Sequence, residues 1–226
     1  MPYDDDRGIN PQDDSFLEKE QWDLKTTPPE KFPLLLFFHP LVIYRYQVIK
    51  QADIILAMFL IGQDLSPEQK KRNFDYYDPL TTGDSSLSSC IQSIVASEIG
   101  YVDIAVEYAR AALLMDLADV GGNVKDGCHI ASMGGTWMMM VYGMAGMRDF
   151  DGILTFKPRR APDLPSKIRF PLTYRGQILD IEMGPEGARY SLREGEGVMI
   201  RHEDEEILLS PQAPVAHRPI MPPETF

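Results

Sequence analysis

Three short segments of this 226-residue chain bring together side chains able to bind or move chemical groups. The first is Tyr76-Tyr77-Asp78-Pro79-Leu80-Thr81-Thr82-Gly83-Asp84-Ser85-Ser86-Leu87-Ser88, a loop rich in short hydroxyls that runs into a helix-forming stretch. Such a loop can aim backbone N–H groups and serine hydroxyls at one point, where the helix dipole also favours an anion. It can equally be a simple cap, with Asp84 or Ser85 satisfying the first turn. The second is Asp126-Gly127-Cys128-His129-Ile130-Ala131-Ser132-Met133-Gly134-Gly135-Thr136-Trp137, where His129 and Ser132 share a helix face. Gly134 and Gly135 each cost a helix roughly 1 kcal/mol against alanine, which is tolerable where another backbone or a ligand approaches closely. The third is Lys50-Gln51-Ala52-Asp53, polar groups within an apolar stretch. It reads either as a Lys50–Asp53 ion pair or as a polar floor on which an ammonium and an amide meet sugar hydroxyls.

Other chemistries find no support. No GxSxG elbow, nucleotide-type Gly-rich loop or HExxH motif occurs, and no pair of carboxylates stands out as a glycosidase acid and base. Cys90 and Cys128 form no CxxC pair, and the histidines at 39, 129, 202 and 217 are scattered, so no zinc site is expected. The methionines at 138, 139, 140, 144 and 147 read as core packing, and the run Glu203–Glu206 as a solvated turn. With 22 Lys and Arg against 34 Asp and Glu, the net charge is −12. That field is wrong for wrapping nucleic acid or docking on an acidic lipid surface. The acidic N-terminus, with Asp4, Asp5 and Asp6, is not a secretory signal, and a cytoplasmic location is expected.

The elements that must carry these segments follow from patterning. With 44% hydrophobic residues the chain can bury roughly 70% of its unfolded surface. Residues 1–33 read as an irregular segment pinned by Phe16 and Trp22. Tyr44–Leu60 reads as a buried helix stopped by Gly62, Ser66-Pro67-Glu68 as the capped start of a short helix, and Ser85–Glu98 and Val102–Leu117 as two more. Residues 129–146 read as a helix buried nearly all round. After Asp149 the pattern changes to strands, at Gly152–Pro158, Ile168–Tyr174, Gln177–Met183, Ala188–Leu192, Gly197–Arg201 and Glu206–Leu209, spaced by about ten residues as in a small antiparallel sandwich. The expected organisation is therefore mainly α with a β tail: 1–149 helical with an extended N-terminal loop, and 150–226 a small β-sandwich domain.

Taken together and in this order, KQAD at 50–53, YDPLTTGDSSLS at 77–88 and DGCHIASMGGTW at 126–137 resemble the C-terminal part of family 65 glycoside hydrolases, the maltose, trehalose and kojibiose phosphorylases and their relatives. The match runs over nearly the whole chain. The resemblance implies an (α/α)₆ barrel followed by a small β-sandwich. It also implies an inverting reaction, in which a glutamic acid protonates the glycosidic oxygen while inorganic phosphate attacks the anomeric carbon to give β-glucose 1-phosphate. Carried over by motif, Lys50 and Gln51 would hold the non-reducing glucose, and Ser85, Ser86, His129 and Ser132 the phosphate. Phosphate would be a co-substrate, with no cofactor and no metal. An α-linked glucose disaccharide would be the other substrate. A histidine at 129 favours phosphorolysis, because a hydrolytic relative needs a carboxylate base there to activate water.

Two departures from the family pattern accompany this. Gly83 stands where many characterised phosphorylases have a histidine, which leaves hydrolysis open. About five helices are read here, fewer than a closed ring of six helix pairs. The resemblance thus implies a C-terminal portion that begins after the general-acid segment and contributes part of the barrel. Such a chain is expected to be inactive alone, with no catalytic residue of its own, and to associate with an N-terminal half or with itself through exposed helices. The competing expectation is a non-catalytic carbohydrate-binding or barrel-completing subunit.

Overall fold

The computed structural model describes residues 1–160 and 165–221. Contacts divide the chain into two compact units, Met1–Thr136 and a second beginning at Trp137.

The first unit is helical. Its N-terminal segment carries almost no regular structure and is held by single anchors. Phe16 is buried against the ring of Tyr77, centroids 5.7 Å apart. The Asn10 backbone N–H donates to Asn73 Oδ1 at 2.8 Å, and the Tyr77 hydroxyl donates to Asn10 O at 2.7 Å. Trp22 meets Phe38 and Tyr46 edge-on. The two-residue strands β1 (Glu20–Gln21) and β2 (Tyr46–Gln47) pair in parallel, and the short helices α1 (Leu34–Phe37) and α2 (Pro40–Ile43) lie between them in sequence.

Four of the longer helices follow: α3 (Asp53–Ile61), α4 (Pro67–Tyr77), α5 (Ser88–Glu98) and α6 (Val102–Leu114). Gly62 ends α3. Ser66 caps α4 through its hydroxyl, which accepts from the Gln69 N–H at 3.2 Å, with Pro67 at the first position. Gly100, at φ +81°, makes the turn between α5 and α6 that a side chain would strain. The expected helix over Tyr44–Leu60 is shorter. Residues 46–49 run extended because the Ile49 N–H donates to Leu80 O at 2.9 Å and the Thr82 N–H donates to Ile49 O at 2.9 Å. A long-range backbone pairing there satisfies groups that a helix would otherwise take.

Helix α7 (Ile130–Met138) continues into a π-helical stretch, Met139–Met144. It is not buried all round: Ile130 is 71% and Trp137 51% exposed.

The second unit holds two four-stranded sheets. One runs β10-β7-β6-β5, from Val215–Arg218, Gly187–Glu194, Gln177–Gly184 and Ile168–Tyr174, antiparallel throughout. The other runs β3-β4-β8-β9, from Met147–Arg148, Leu154–Phe156, Val198–His202 and Glu205–Leu209. This sheet is mixed, since β4 and β8 pair in parallel. The intervening β5–β7 excursion makes that possible, as parallel partners need a long crossover and cannot be joined by a tight turn. Both sheets feed one apolar cluster that includes Phe156, Leu179, Ile181, Tyr190, Ile200 and Leu209. Val141, Ala145 and Met147 pack into the same cluster, so the division by contacts precedes the change of pattern read at 149/150. No helix among the described residues is long and apolar enough to cross a membrane.

Candidate functional site

All six predicted residues fall within the helical unit. Lys50 and Gln51 line a cleft of about 640 Å³. Its walls come from the N-terminal segment (Gln12, Asp13, Phe16, Lys19), from Tyr44 and Tyr46, and from Thr82 and Asp84 of the hydroxyl-rich loop. Among the described residues Lys50 forms no ion pair with Asp53. Asp53 Oδ2 instead accepts from Gln12 Nε2 at 3.1 Å, while Gln12 Oε1 is buried without a partner. Lys19 Nζ sits 3.3 Å from Asp13 Oδ2. Burial pushes the Asp13 carboxyl up, but hydrogen bonds from Ser15 and Lys19 outweigh it and hold the group below its ordinary range. Aromatic faces, amides, an ammonium and carboxylates in one concavity are the surfaces a sugar ring uses.

The extended run before α3 and the loop before α5 are stitched together. Besides the Ile49 bonds to Leu80 and Thr82, the Ala52 N–H donates to the buried Ser88 Oγ at 3.3 Å. KQAD and the hydroxyl-rich loop, some thirty residues apart in sequence, are therefore one structural piece. Asp78 braces that piece from below. Its Oδ1 accepts from Gln92 Nε2 of α5 and from the Tyr108 hydroxyl of α6, both at 2.8 Å. Burial raises its carboxyl above the usual range, against the pull of these two bonds. Asp84 Oδ2 accepts from the Leu34 N–H at 3.3 Å.

The four residues carried over to phosphate lie outside the cleft lining. Ser85 is buried and its Oγ accepts from the Leu87 N–H at 3.3 Å, closing the turn before α5. Ser86, next to it, is half-buried. His129 directly precedes α7, and its carbonyl accepts from the Met133 N–H at 3.1 Å. Ser132, one turn on, is only 1% exposed, and its Oγ has no hydrogen-bond partner. An orphan hydroxyl of this kind is unusual in a native interior. It lies in the first turn of α7, whose N–H groups have no partner one turn back within the helix, although that of Ile130 donates to Cys128 O at 3.0 Å.

Helices α5 and α7 touch where Gly135 faces Cys90: a Cβ on Gly135 would lie 2.5 Å from Cys90 Sγ. The close approach foreseen for the glycine pair thus belongs to Gly135, whereas Gly134 faces open space. The sequence reading missed Asp116, whose carboxylate holds both the backbone and the ring of His129. No local signal marks it, because the contact depends on the path of the Gly-rich loop between them. Among the described residues no group of three or more His, Cys, Asp or Glu is placed to hold a metal ion.

The helical unit and the β unit correspond to the two family models that match this chain. The model of the glycosyl hydrolase family 65 central catalytic domain matches residues 1–138, and that of the family 65 C-terminal domain matches residues 147–209. The chain belongs to glycosyl hydrolase family 65. It is 45% identical over 201 residues to the alpha,alpha-trehalose phosphorylase of Geobacillus stearothermophilus, covering 89% of this chain and 26% of that protein. It is 46% identical over 209 residues to the alpha,alpha-trehalose phosphorylase of Thermoanaerobacter brockii, covering 92% and 27%. Among solved structures it resembles a putative kojibiose phosphorylase from the human microbiome, with a TM-score of 0.85 and 28% identity over 96% of this chain and 28% of that one. The chain thus spans about a quarter of the length of the relatives it matches.

These matches correct the expectation that the chain is only a C-terminal portion of the family. Central catalytic and C-terminal domains are both represented, and all three motifs fall inside the catalytic-domain match.

Proposed function

We propose that this chain provides the glucose and phosphate contacts of an inverting α-glucoside phosphorylase, in which an α-linked glucose disaccharide and inorganic phosphate give β-glucose 1-phosphate and a free sugar. The phosphate oxygen bonds to the anomeric carbon, the glycosidic C–O bond breaks, and the departing oxygen takes up a proton. On this reading the helical unit forms part of an (α/α)₆ barrel and the two sheets form a small β-sandwich. Lys50 and Gln51 bind the non-reducing glucose in the cleft. Ser85, Ser86, His129 and Ser132 bind phosphate.

The observation that carries the reading is the buried, unpartnered Ser132 Oγ at the start of α7, one turn beyond His129. A buried hydroxyl without a partner costs about 1–3 kcal/mol, and an anion at a helix N-terminus would satisfy it. The neighbouring carboxylates also favour phosphate over water as nucleophile. Hydrolysis with inversion needs a carboxylate base, yet Asp116 is engaged by His129, Asp78 by Gln92 and Tyr108, and Asp84 by the Leu34 N–H. The trehalose phosphorylase relatives point the same way.

The test is to titrate the purified chain calorimetrically with inorganic phosphate and with trehalose, maltose and kojibiose. Phosphate-dependent release of glucose 1-phosphate is assayed in parallel. Saturable phosphate binding that His129→Ala abolishes is the expected result. Phosphate-independent cleavage to two free sugars would replace the reading with hydrolysis. One observation favours a second reading, that of a carbohydrate-binding chain: the cleft is lined by Lys50 and Gln51 but by none of the four phosphate residues. Glucoside binding with no phosphate binding would select it.

A further inference from the structure

Asp116 belongs to none of the three motifs, yet both of its carboxylate oxygens serve one residue. Oδ1 lies 2.6 Å from His129 Nδ1, and Oδ2 accepts from the His129 backbone N–H at 2.9 Å. The two side chains are half-buried, 13% and 21% exposed. The hydrogen bonds from the His129 ring and backbone hold the Asp116 carboxyl below the usual carboxylate range. It is therefore ionised at neutral pH and offers acceptors only. An acceptor-only partner requires the proton on Nδ1.

The clamp thus fixes His129 twice. The backbone bond sets where the residue starts, and the ring bond sets the plane of the imidazole and the nitrogen that faces the carboxylate. Nε2 is left as the ring atom that can meet a ligand. The residue stands at the N-terminal end of α7, where the Ile130 N–H donates to Cys128 O at 3.0 Å and Ser132 Oγ is buried without a partner.

We infer that Asp116 is a positioning residue for anion binding at α7, acting through His129 by holding the ring with Nδ1–H inward so that Nε2 accepts from the hydroxyl of a hydrogen phosphate ion. The inference rests on the phosphate reading given above. It differs from a merely structural role, in which Asp116 ties down the chain after α6 and the state of the His129 ring is immaterial.

The experiment uses the full chain, with histidine ring nitrogens labelled with ¹⁵N and inorganic phosphate as the probe. The wild-type His129 signals are expected to report a protonated Nδ1. In Asp116→Ala the ring is expected to lose that fixed tautomer, and phosphate affinity to fall about tenfold, in line with loss of one charge-assisted hydrogen bond. Asp116→Asn, which keeps one acceptor oxygen at the same place, is expected to fall between the two. It also carries the test should the alanine variant fail to fold.

Unchanged ring signals in both variants overturn the inference. So does a changed tautomer with unchanged phosphate affinity, provided His129→Ala abolishes binding; the phosphate reading then survives without Asp116. If His129→Ala leaves phosphate binding intact, the phosphate reading falls and the inference falls with it.

Discussion

The helical unit and the β unit both bury apolar side chains but differ in how many polar groups they bury beside them. In the β unit two sheets close on one apolar cluster in which Leu154, Phe156, Leu179, Ile181, Tyr190, Ile200 and Leu209 are almost fully buried. The helical unit also has a buried apolar core, with Ile55, Met58, Phe74, Tyr77, Ile94 and Val95 almost fully buried, but adds many polar groups to it. Of the eleven buried polar residues among those described, nine lie there, Asn10, Asn73, Ser85, Ser88, Gln92 and Ser132 among them. It also leaves large apolar side chains in solvent, with Leu117 86% and Leu36 76% exposed. Polar groups inside a protein are stabilising only when fully partnered, and they then specify one arrangement. In the helical unit they hold loops and helix ends in place, which is where the candidate site sits. The difference teaches that the β unit is held by apolar packing almost alone, whereas the helical unit adds to the same kind of packing a polar network that positions its loops.

The largest effect that would sharpen this contrast comes from opening the apolar cluster. Phe156 is fully buried, its ring 5.1 Å from that of Tyr190. Phe156→Ala is expected to destabilise the β unit by about 3–5 kcal/mol. Urea unfolding, with hydrogen exchange of β6 and β8 amides, measures it. A cost below about 1 kcal/mol would mean that the cluster is loosely packed and the contrast false.

Its counterpart in the helical unit is polar. Asn73 is fully buried; its Oδ1 accepts from the Asn10 N–H, and its amide donates to Asn10 Oδ1 and Gln69 O. Asn73→Ala removes little apolar contact but strands the Asn10 N–H. The expected loss is about 1–3 kcal/mol, read from the unfolding midpoint, together with faster exchange of the Asn10 amide. If the variant is as stable as wild type, the polar network does not hold the N-terminal segment.

How much of this was legible beforehand divides along the same line. The strands were readable because alternation of buried and exposed side chains is a local signal; β5 spans Ile168–Tyr174 as expected. The pairing of β4 with β8, and the last strand Val215–Arg218, were not, since neither leaves a local trace. In the helical unit the caps at Ser66 and the stop at Gly62 were legible. Tyr44–Ile49 was not, because an apolar run alone does not distinguish a buried helix from an extended segment. The site residues stood out by type, and Lys50 and Gln51 do share a cleft. What joins KQAD to the hydroxyl loop is backbone hydrogen bonding from Ile49, and what holds His129 is a carboxylate across a Gly-rich loop. Both depend on long-range chain path, which residue types do not encode locally.

One polar group inside the β unit tests whether its interior is as apolar as the contrast requires. His202 is buried; Nδ1 accepts from the Tyr190 hydroxyl at 2.6 Å and Nε2 donates to Pro219 O at 2.9 Å. Burial lowers its pKa below 6.5, against the pull of the Pro219 carbonyl and of Glu203 and Glu205, with Arg218 acting in the same sense as burial. Between the lowered folded value and 6.5 the unfolded chain binds more protons than the folded one. The stabilisation from neutral His202 is thus complete above about pH 6.5 and is lost as pH falls through the folded value. Unfolding midpoints of wild type and His202→Gln, compared from neutral to mildly acidic pH, should converge as pH falls. Parallel curves would show that His202 does not titrate on unfolding.

The smallest effect lies in the glycine pair of α7, where two neighbours with the same helix penalty face different surroundings. A Cβ on Gly134 meets nothing within 4 Å, whereas one on Gly135 would press on both Sγ and Cβ of the buried Cys90. Helix propensity alone would reward alanine equally at either place, by about 0.5–1 kcal/mol. Gly134→Ala is expected to gain roughly that amount. Gly135→Ala must push α7 away from α5, and the strain of about 1–3 kcal/mol for overpacking reverses the sign. Thermal unfolding of the two variants side by side decides it. Opposite signs would mean that α5 and α7 are held at a distance only glycine allows, as a unit built for positioning requires. Gains at both positions would mean that the contact yields, and that the ends of these two helices are not fixed closely enough to share one anion.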